Sequence, residues 1–376
     1  MPTIGLIYLL YFLRMLGLFC ILPVFALAAP DAYGATAWQV GLAIGGYGLA
    51  QCLMQIPFGL ASDRWGRRPV ILAALGLFVT GSILAAWSNQ IEWVIAGRFL
   101  QGGAAIAGVL LAWIGDVVPS SKRSTAMAGV GGSIAAAFGL SMVLGPWLFV
   151  VQGLPAIFWL NAGLGVLAGL LLLRASDSRV VSPSPLSLSS AQIHRGKLSL
   201  LCGGIALNHF ILMSVFLTLP SQLVARGWSV AEHGGFYLVA LLLSLVCMSP
   251  ALYRERQGRQ NSISWAIALL ALALTGLQLQ VSSGQLAFAA LALFSAFNFL
   301  EASLPARATT LADAEHRGLV MGIYSTSQFV GIALGGSVGG FLIHAWGETG
   351  LYAVAMGLCF IFVLFERWLA KSPAMA

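Results

Sequence analysis

Two ionisable side chains in this sequence, Arg14 and Glu301, lie inside long apolar stretches, where a charge is costly unless it faces protein or water. Desolvation favours the neutral form of a carboxyl group, so Glu301 is a candidate for a group that takes up and releases a proton. The alternative is an ion pair between Glu301 and Arg307. Arg14 either donates hydrogen bonds to helix carbonyl groups or supplies a fixed positive charge to a polar cavity.

Polar side chains in the same stretches recur with helical spacing and could line such a cavity. Tyr47, Gln51 and Gln55 are four residues apart, which places them on one helix face. Tyr324 and Gln328 share a face in the same way. Unpaired amides are costly in hydrocarbon, so we expect these faces to point into the protein.

The sequence leaves three interpretations of His209 open. The first is core packing with a satisfied imidazole, and the second is a role in substrate or proton binding close to Asn298. The third is a copper site, because Met213 lies one helical turn after His209 and soft ligands suit copper(I). No paired histidines or other catalytic cluster occur at one depth, so we expect no enzymatic activity.

The elements that must position these residues are predicted to be membrane-spanning helices. The chain of 376 residues is 59% hydrophobic and 8% charged, whereas soluble domains carry about 25% charged residues. A spanning helix needs roughly 20 mostly apolar residues. Twelve stretches meet that need, near 4–28, 37–61, 69–88, 92–114, 122–150, 154–173, 198–222, 233–252, 262–280, 285–305, 318–344 and 349–370. An ordinary soluble protein is excluded.

The basic residues predict the orientation of these helices. If the N-terminus is cytoplasmic, sixteen of the nineteen lysines and arginines fall on the cytoplasmic side. Arg226 alone falls outside, and two arginines lie within spans. This asymmetry follows the positive-inside rule, so we expect a multi-pass protein of the inner (cytoplasmic) membrane with both termini in the cytoplasm. The net charge of +7 is explained by this placement, and we expect no nucleic-acid partner.

A charged turn joins the second and third predicted helices. It reads Gly-Leu-Ala-Ser-Asp-Arg-Trp-Gly-Arg-Arg from Gly59 to Arg68. Gly66 permits a tight reversal of the chain, and Asp63 is the only acid among three arginines. The segment resembles the Gly-x-x-x-Asp-Arg-x-Gly-Arg-Arg signature of the major facilitator superfamily.

This resemblance implies a fold and a mechanism. The fold is an all-α integral membrane protein with twelve transmembrane helices in two six-helix halves, and the mechanism is transport by alternating access. The resemblance also implies a charge cluster of Asp63, Arg67 and Asp116 that latches the cytoplasmic helix ends in one state and releases them in the other. The full predicted latch is Gly59, Asp63, Arg64, Gly66, Arg67 and Asp116. The alternative is a static ion pair at the membrane surface.

The two halves are predicted to span residues 1–173 and 198–376, with a cytoplasmic linker at 174–197 that contains Ser-Pro-Ser-Pro. The segment from Glu255 to Arg259 repeats the pattern from Asp63 to Arg67 at a distance of 192 residues. Such a repeat indicates an internal duplication, which is typical of transporters whose substrate site lies between the two halves.

The fourth stretch resembles a second superfamily signature, in which an arginine and a glutamine are followed by small residues. Arg98, Gln101, Gly102 and Gly103 match it. The resemblance associates Arg98 with proton coupling and places Gln101 among the candidates for the cavity lining. Arg98 could instead pair only with its neighbours.

The fifth stretch resembles the antiporter signature Gly-x8-Gly-x3-Gly-Pro. Gly132, Ser141, Gly145 and Pro146 match it, except that Ser141 replaces the middle glycine. Small residues at such intervals allow close helix packing, which is the alternative explanation. The second half repeats part of the pattern at Gly335 and Gly339.

Stretches in the first and seventh helices also resemble the YajR-type group of proton-coupled drug-efflux transporters. The protein for which this group is named carries a soluble domain after the last helix, which we expect this chain to lack because it stops soon after Arg367. We therefore expect proton-coupled antiport of a lipophilic or cationic small molecule by a monomer, driven by the proton gradient without a cofactor. The alternatives are an importer of copper or another small solute, and a nontransporting membrane sensor or scaffold.

Overall fold

The structure is a computed structural model that describes residues 3–119, 122–174, 195–257, 262–279, 282–311 and 317–371. These residues form helices and short connections, and no strand occurs among them. The helices are α1 (Thr3–Phe19), α2 (Leu22–Tyr33), α3 (Ala37–Trp65), α4 (Arg67–Trp87), α5 (Ile91–Gly103), α6 (Ile106–Val117), α7 (Arg123–Gln152), α8 (Leu154–Leu173), α9 (Arg195–Val224), α10 (Val230–Arg256), α11 (Ser262–Leu279), α12 (Ser283–Ala308) and α13 (Arg317–Lys371).

The described chain contains twelve helical segments long enough to cross a membrane, as the sequence predicts. Ten segments meet both a length and an apolarity requirement. One of them, Gly318–Leu369, is two helices, because the φ angle of Gly347 is 71° and interrupts the helical geometry of α13. The twelfth segment is α3, which is 29 residues long but is not among the ten that meet the apolarity requirement.

Two of the predicted spans are broken helices, which the sequence analysis did not foresee. The first span is interrupted at Cys20 and Ile21, between α1 and α2, where Pro23 occupies the first turn of α2 and has no N–H to continue the ladder. The fourth span is interrupted at Ala104 and Ala105, whose ψ angles are 61° and 64°. At this break the Ala104 carbonyl oxygen accepts from the Ile106 N–H over 2.8 Å and has room to accept one more hydrogen bond, from a side chain.

Contacts within the chain divide it into two units, and α1–α8 belong to the first together with residues 229–234. Glycines set the closest helix contacts of this unit. A Cβ atom built on Gly81 of α4 would lie 2.5 Å from the Gly97 carbonyl oxygen of α5, and one on Gly102 would lie 2.1 Å from the Tyr47 carbonyl oxygen of α3. Larger side chains at these positions would separate the helices.

The second unit contains the rest of α9–α13. Its closest contact joins α9 to the first part of α13. A Cβ atom on Gly331 would lie 2.2 Å from the Ala206 carbonyl oxygen, and one on Gly335 would lie 2.5 Å from the Phe210 carbonyl oxygen. The helix that carries the repeated pattern at Gly335 and Gly339 therefore packs directly on α9. Most of the predicted linker falls in 175–194, outside the described residues, so its boundaries stay a prediction.

Candidate functional site

Three of the four charged residues of the predicted latch, Asp63, Arg67 and Asp116, lie together. Arg67 is 6% exposed at the start of α4, and its Nε atom donates to Oδ2 of Asp116 on α6 over 2.8 Å. Its Nη1 atom donates to Asp63 on α3 and to the Ser62 hydroxyl, the latter over 2.7 Å. A single guanidinium group therefore joins the ends of three helices.

The remaining latch residues, Gly59, Arg64 and Gly66, have different surroundings. Gly66 has a φ angle of 93° between α3 and α4, a conformation that favours glycine, so it makes the reversal that brings Arg67 back toward Asp63. Arg64 is exposed. A Cβ atom on Gly59 would meet no atom within 4 Å, so the close helix approach that Gly59 could permit is not present here.

A second charged cluster lies in the second unit, and the sequence did not predict that its members pair with one another. Oε1 of Glu255, the counterpart of Asp63 in the repeat, accepts from Arg307 Nε over 2.6 Å and from the Ser303 hydroxyl over 2.5 Å. Nη2 of Arg307 donates to the Ser262 hydroxyl over 2.6 Å. The proposed pairing of Arg307 with Glu301 is therefore wrong, because Glu255 takes that guanidinium. Arg259, the counterpart of Arg67, lies outside the described residues.

Arg14 is buried in the first unit at 3% exposure. Its Nη2 atom donates to Gln51 Oε1 over 2.5 Å and to the Ala104 carbonyl oxygen over 2.7 Å. Tyr11 also bonds close to the break between α5 and α6, because its hydroxyl donates to the Ala107 carbonyl oxygen of α6 over 2.6 Å. Tyr11 was not predicted as a site residue. A signal existed in its position three residues before Arg14, on the same helix face.

Arg98 and Arg14 lie on the ring of Tyr47. The Cζ atoms of Arg98 and Arg14 are 4.8 and 5.6 Å from the ring centroid, a distance at which a guanidinium is attracted to the π face. Arg98 also donates to the Ala43 carbonyl oxygen over 3.2 Å and to Gln101 Oε1 over 2.8 Å. Arg98, Tyr47 and Gln101 are at most 1% exposed, so the local pairing of Arg98 is present.

In the second unit, three of the predicted side chains meet. His209 on α9 has its Nδ1 atom 3.2 Å from the Ile205 carbonyl oxygen, which can only accept. Nδ1 therefore carries the proton, and Nε2 accepts from the Gln328 amide of α13 over 2.8 Å. The same amide donates to Glu301 Oε1 of α12 over 3.3 Å. Glu301 Oε2 lies 3.8 Å from His209 Nε2.

Two other predicted residues of this unit lie apart from that cluster or beside it. Asn298 does not join His209, because its amide donates to the Ser244 hydroxyl of α10 over 2.7 Å. Tyr324 is 4% exposed, and its hydroxyl has no hydrogen-bond partner among the described residues. His209 also packs edge-on against the Phe297 ring at 5.5 Å.

The suggested copper pair has little geometric support. Nε2 of His209 is already hydrogen-bonded to Gln328, and Met213 is buried at 2% exposure. Across the residues that the structure describes, no group of three or more histidine, cysteine or acidic side chains could hold a metal ion.

The residues of the antiporter signature lie on α7 but have different surroundings. A Cβ atom on Gly145 would lie 2.2 Å from the Cys20 carbonyl oxygen, at the break between α1 and α2. A Cβ atom on Gly132 would meet nothing within 4 Å. Ser141 donates to the Phe138 carbonyl oxygen over 2.7 Å, and Pro146 lies inside the helix. Gly339, in the repeat, has Leu217 Cδ1 at 3.1 Å from a built Cβ.

Comparison with known proteins agrees with this architecture. The Major Facilitator Superfamily profile matches residues 7–304 and 254–375. The inner membrane transport protein YajR of Escherichia coli (strain K12) is 35% identical over 370 residues, which cover 96% of this chain and 82% of YajR. The multidrug resistance protein MdtL of Klebsiella pneumoniae (strain 342) is 25% identical over 327 residues, covering 86% of this chain and 77% of MdtL.

The fold has close structural neighbours as well. The crystal structure of a bacterial homologue of the human lysosomal transporter Spinster, in an inward-facing and occupied conformation, superposes with a TM-score of 0.79. It covers 99% of this chain and 97% of that one at 14% identity, so this likeness concerns the fold alone. The length of the family match and the identity to YajR decide the question: the chain belongs to the Major Facilitator Superfamily of membrane transporters.

Proposed function

We propose that this protein is a proton-coupled antiporter that exports a lipophilic small molecule by alternating access. Membership of the superfamily gives a secondary transporter, and the coupling ion, the direction and the substrate class are the proposal. The observation that carries it is the contact between Glu301, Gln328 and His209, which places a carboxyl group beside an imidazole within the spanning helices of the second unit.

The hydrogen bonds of this cluster suit a carboxyl group that changes protonation state. Oε1 of Glu301 accepts from Gln328, whereas Oε2 has no hydrogen-bond partner among the described residues. A proton can bind Oε2 without breaking either bond of the Gln328 amide. His209 Nε2, at 3.8 Å, offers a second acceptor once Gln328 releases it. Glu301 is therefore the proposed proton carrier, with Arg98 as the other predicted coupling residue.

The conformational part of the proposal uses the Asp63–Arg67–Asp116 cluster. Because Arg67 joins three helix ends, opening the cytoplasmic side requires its ion pairs to break or move together. The cluster is proposed to hold in one transport state and to release in the other. The positive-inside pattern and the inner-membrane relative YajR support an inner-membrane location with both termini cytoplasmic. The proposed form is a monomer that uses the proton gradient and no cofactor.

The substrate proposal rests on a relative and on the sequence. MdtL is named a multidrug resistance protein, and this name supports the export of a small molecule. The sequence leaves a lipophilic and a cationic substrate open, and we propose the lipophilic one. No structural observation favours the copper importer, since the imidazole nitrogen it needs is occupied. The transport measurement distinguishes a transporter from a membrane sensor or scaffold that carries no flux.

The test uses proteoliposomes that contain the pH dye pyranine and an imposed proton gradient. Three naphthalene probes share one lipophilic body and differ in charge: naphthalenesulfonate, naphthalenesulfonamide and trimethylnaphthylammonium. We expect at least one probe to move against protons, with flux that collapses when the gradient is dissipated. Probe flux that ignores the gradient would overturn proton coupling, and flux no greater than in empty liposomes would support the sensor alternative.

A further inference from the structure

We propose that Arg14, Gln51 and Tyr47, at the break between α5 and α6, bind the negatively charged group of a small organic substrate such as a sulfonate, carboxylate or phosphate. This inference rests on the proposed transport function and adds the charge of the substrate to it. All of its residues lie in the first unit.

The first argument is an excess of buried hydrogen-bond donors. Arg14 uses only Nη2, and its Nε and Nη1 atoms have no partner among the described residues. The Nε2 amide of Gln51 and the hydroxyl of Tyr47 are also buried without a partner. Gln51 and Tyr47 are fully buried. Leaving such groups unpaired is costly, and an anion with several oxygen atoms can accept from all of them.

The second argument is the missing counter-charge. The acidic residues in the described parts of α1–α8 are Asp31, Asp63, Glu92 and Asp116. Asp63 and Asp116 pair with Arg67, Glu92 accepts from Gln39, and Asp31 is exposed at the end of α2. Neither Arg14 nor Arg98 contacts a carboxylate among the described residues. A buried guanidinium without an anion is expensive, so a bound anion is stabilised here and a bound cation is disfavoured.

The third argument is the broken helix itself. The chain leaves helical geometry at Ala104 and Ala105, and α6 then begins at Ile106 and continues for 12 residues. The N-terminal end of a helix carries a partial positive charge. Since Arg14 hydrogen-bonds the Ala104 carbonyl oxygen over 2.7 Å, that end lies beside the unpaired donors. Discontinuous helices place their N-terminal ends at anionic substrate groups in other transporter folds.

Arg98 positions the site without binding in it. Its hydrogen bonds go to Ala43 and Gln101, and the Gln101 amide donates in turn to the Ser82 hydroxyl over 2.8 Å. Its Cζ atom lies 4.8 Å from the centroid of the Tyr47 ring, against which Arg14 also packs. Arg98 therefore fixes the ring whose hydroxyl is unpaired and adds a second positive charge nearby.

The experiment measures binding at equilibrium, without a gradient, to the purified full chain in nanodiscs by calorimetry. The probes are naphthalenesulfonate, naphthalenesulfonamide and trimethylnaphthylammonium. We expect the sulfonate to bind at least about tenfold more tightly than the sulfonamide, as hydrogen bonds to a charged group predict, and the ammonium probe to bind most weakly. Equal affinity for the three probes, or tightest binding of the ammonium probe, overturns the proposal.

Substitutions locate the site and separate it from folding. Gln51→Glu gives Arg14 an internal counter-ion, so we expect a higher melting temperature together with at least a tenfold loss of sulfonate affinity. Tyr47→Phe removes a hydroxyl that has no partner and should weaken sulfonate binding several-fold in a stable protein. Arg174→Gln removes an exposed positive charge from the same unit and should leave binding unchanged. Sulfonate affinity in Gln51→Glu equal to that of the wild type would disprove the assignment.

This binding test is independent of the flux test. Sulfonate binding that Gln51→Glu abolishes, in a protein whose flux ignores the proton gradient, would keep the anion site and reject proton coupling. Coupled flux of the ammonium probe with no sulfonate binding would keep the antiporter and reject the anion site.

Discussion

Arg67 Nε lies 2.8 Å from Asp116 Oδ2, and this hydrogen bond ties the start of α4 to the end of α6 across 49 residues of sequence. The guanidinium and carboxylate are both largely buried, with side-chain exposures of 7% and 14%. Asp63, the third member, is 36% exposed. The Asp116 contact is therefore the less hydrated of the two ion pairs and should contribute more to the cluster.

The first prediction separates these two acids. Asp116→Asn should lower stability by about 1–3 kcal/mol, since Arg67 stays buried and keeps only Asp63 and Ser62. Asp63→Asn should cost less, because water screens that pair. Both should lower probe flux while the protein remains inserted in the membrane. Thermal unfolding in detergent and flux in proteoliposomes measure the two effects.

Glu92→Gln is the matched control for the first prediction. Glu92 is an exposed acid of the same unit that accepts from Gln39 over 3.2 Å, so its loss should change stability by no more than about 0.5 kcal/mol. If Asp63→Asn and Asp116→Asn transport as well as Glu92→Gln does, the cluster is a static ion pair and the latch proposal fails.

The second prediction concerns the proposed proton carrier. Glu301→Gln should remove the dependence of flux on the proton gradient, because an amide cannot take up a proton at Oε2, while binding of the transported probe persists. Counterflow of that probe, which needs no net proton movement, should continue. Glu366→Gln is the control, since Glu366 is an acid of the same unit hydrogen-bonded to Ser264. A gradient response retained in Glu301→Gln would exclude this carboxyl group as the carrier.

The third prediction tests the charged cluster of the second unit. Arg307→Gln and Glu255→Gln should each lower the melting temperature modestly, by an amount equivalent to about 1 kcal/mol, because the Arg307 side chain is 35% exposed and water screens it. The double variant should cost less than the sum of the two single variants. Strict additivity would show that the 2.6 Å contact contributes nothing to stability.

Sequence reasoning predicted the charge cluster of the first unit because its local part is encoded locally. Asp63 and Arg67 are four residues apart across a glycine turn, and Gly66 has the positive φ angle that this turn needs. The contact with Asp116 came from a family resemblance, since no local spacing relates residues 49 positions apart. The twelve spanning helices were predictable for a different reason: each needs only length and apolar composition.

The parts that sequence reasoning missed depend on tertiary contacts. The break at Ala104 contains no proline, and the Ala104 carbonyl oxygen accepts both from the Ile106 N–H and from Arg14, 90 residues away in sequence. Asn298 was expected close to His209, yet its amide donates to the Ser244 hydroxyl of α10. Gln51 was predicted to line a cavity, but its hydrogen bond with Arg14 was not predicted. Side-chain direction in a packed bundle is set by neighbouring helices rather than by spacing along one helix.

The fourth prediction compares two glycines of the antiporter signature on α7. Gly145→Ala should destabilise the protein by about 1–3 kcal/mol, because the new methyl group would lie 2.2 Å from the Cys20 carbonyl oxygen and α7 would have to move away from the break between α1 and α2. Gly132→Ala meets no atom within 4 Å and should be neutral or stabilising by up to about 1 kcal/mol, since alanine favours helix. Thermal unfolding of the two variants measures the difference directly.

Equal melting temperatures of the two variants would mean that α7 can move at Gly145 at no cost in stability, and the signature would then need an explanation other than close helix packing. A Gly132→Ala protein that is as stable as the wild type but loses flux would show that this glycine is needed while the helices move. Gly132 would then act in the transport cycle, whereas Gly145 acts in helix packing.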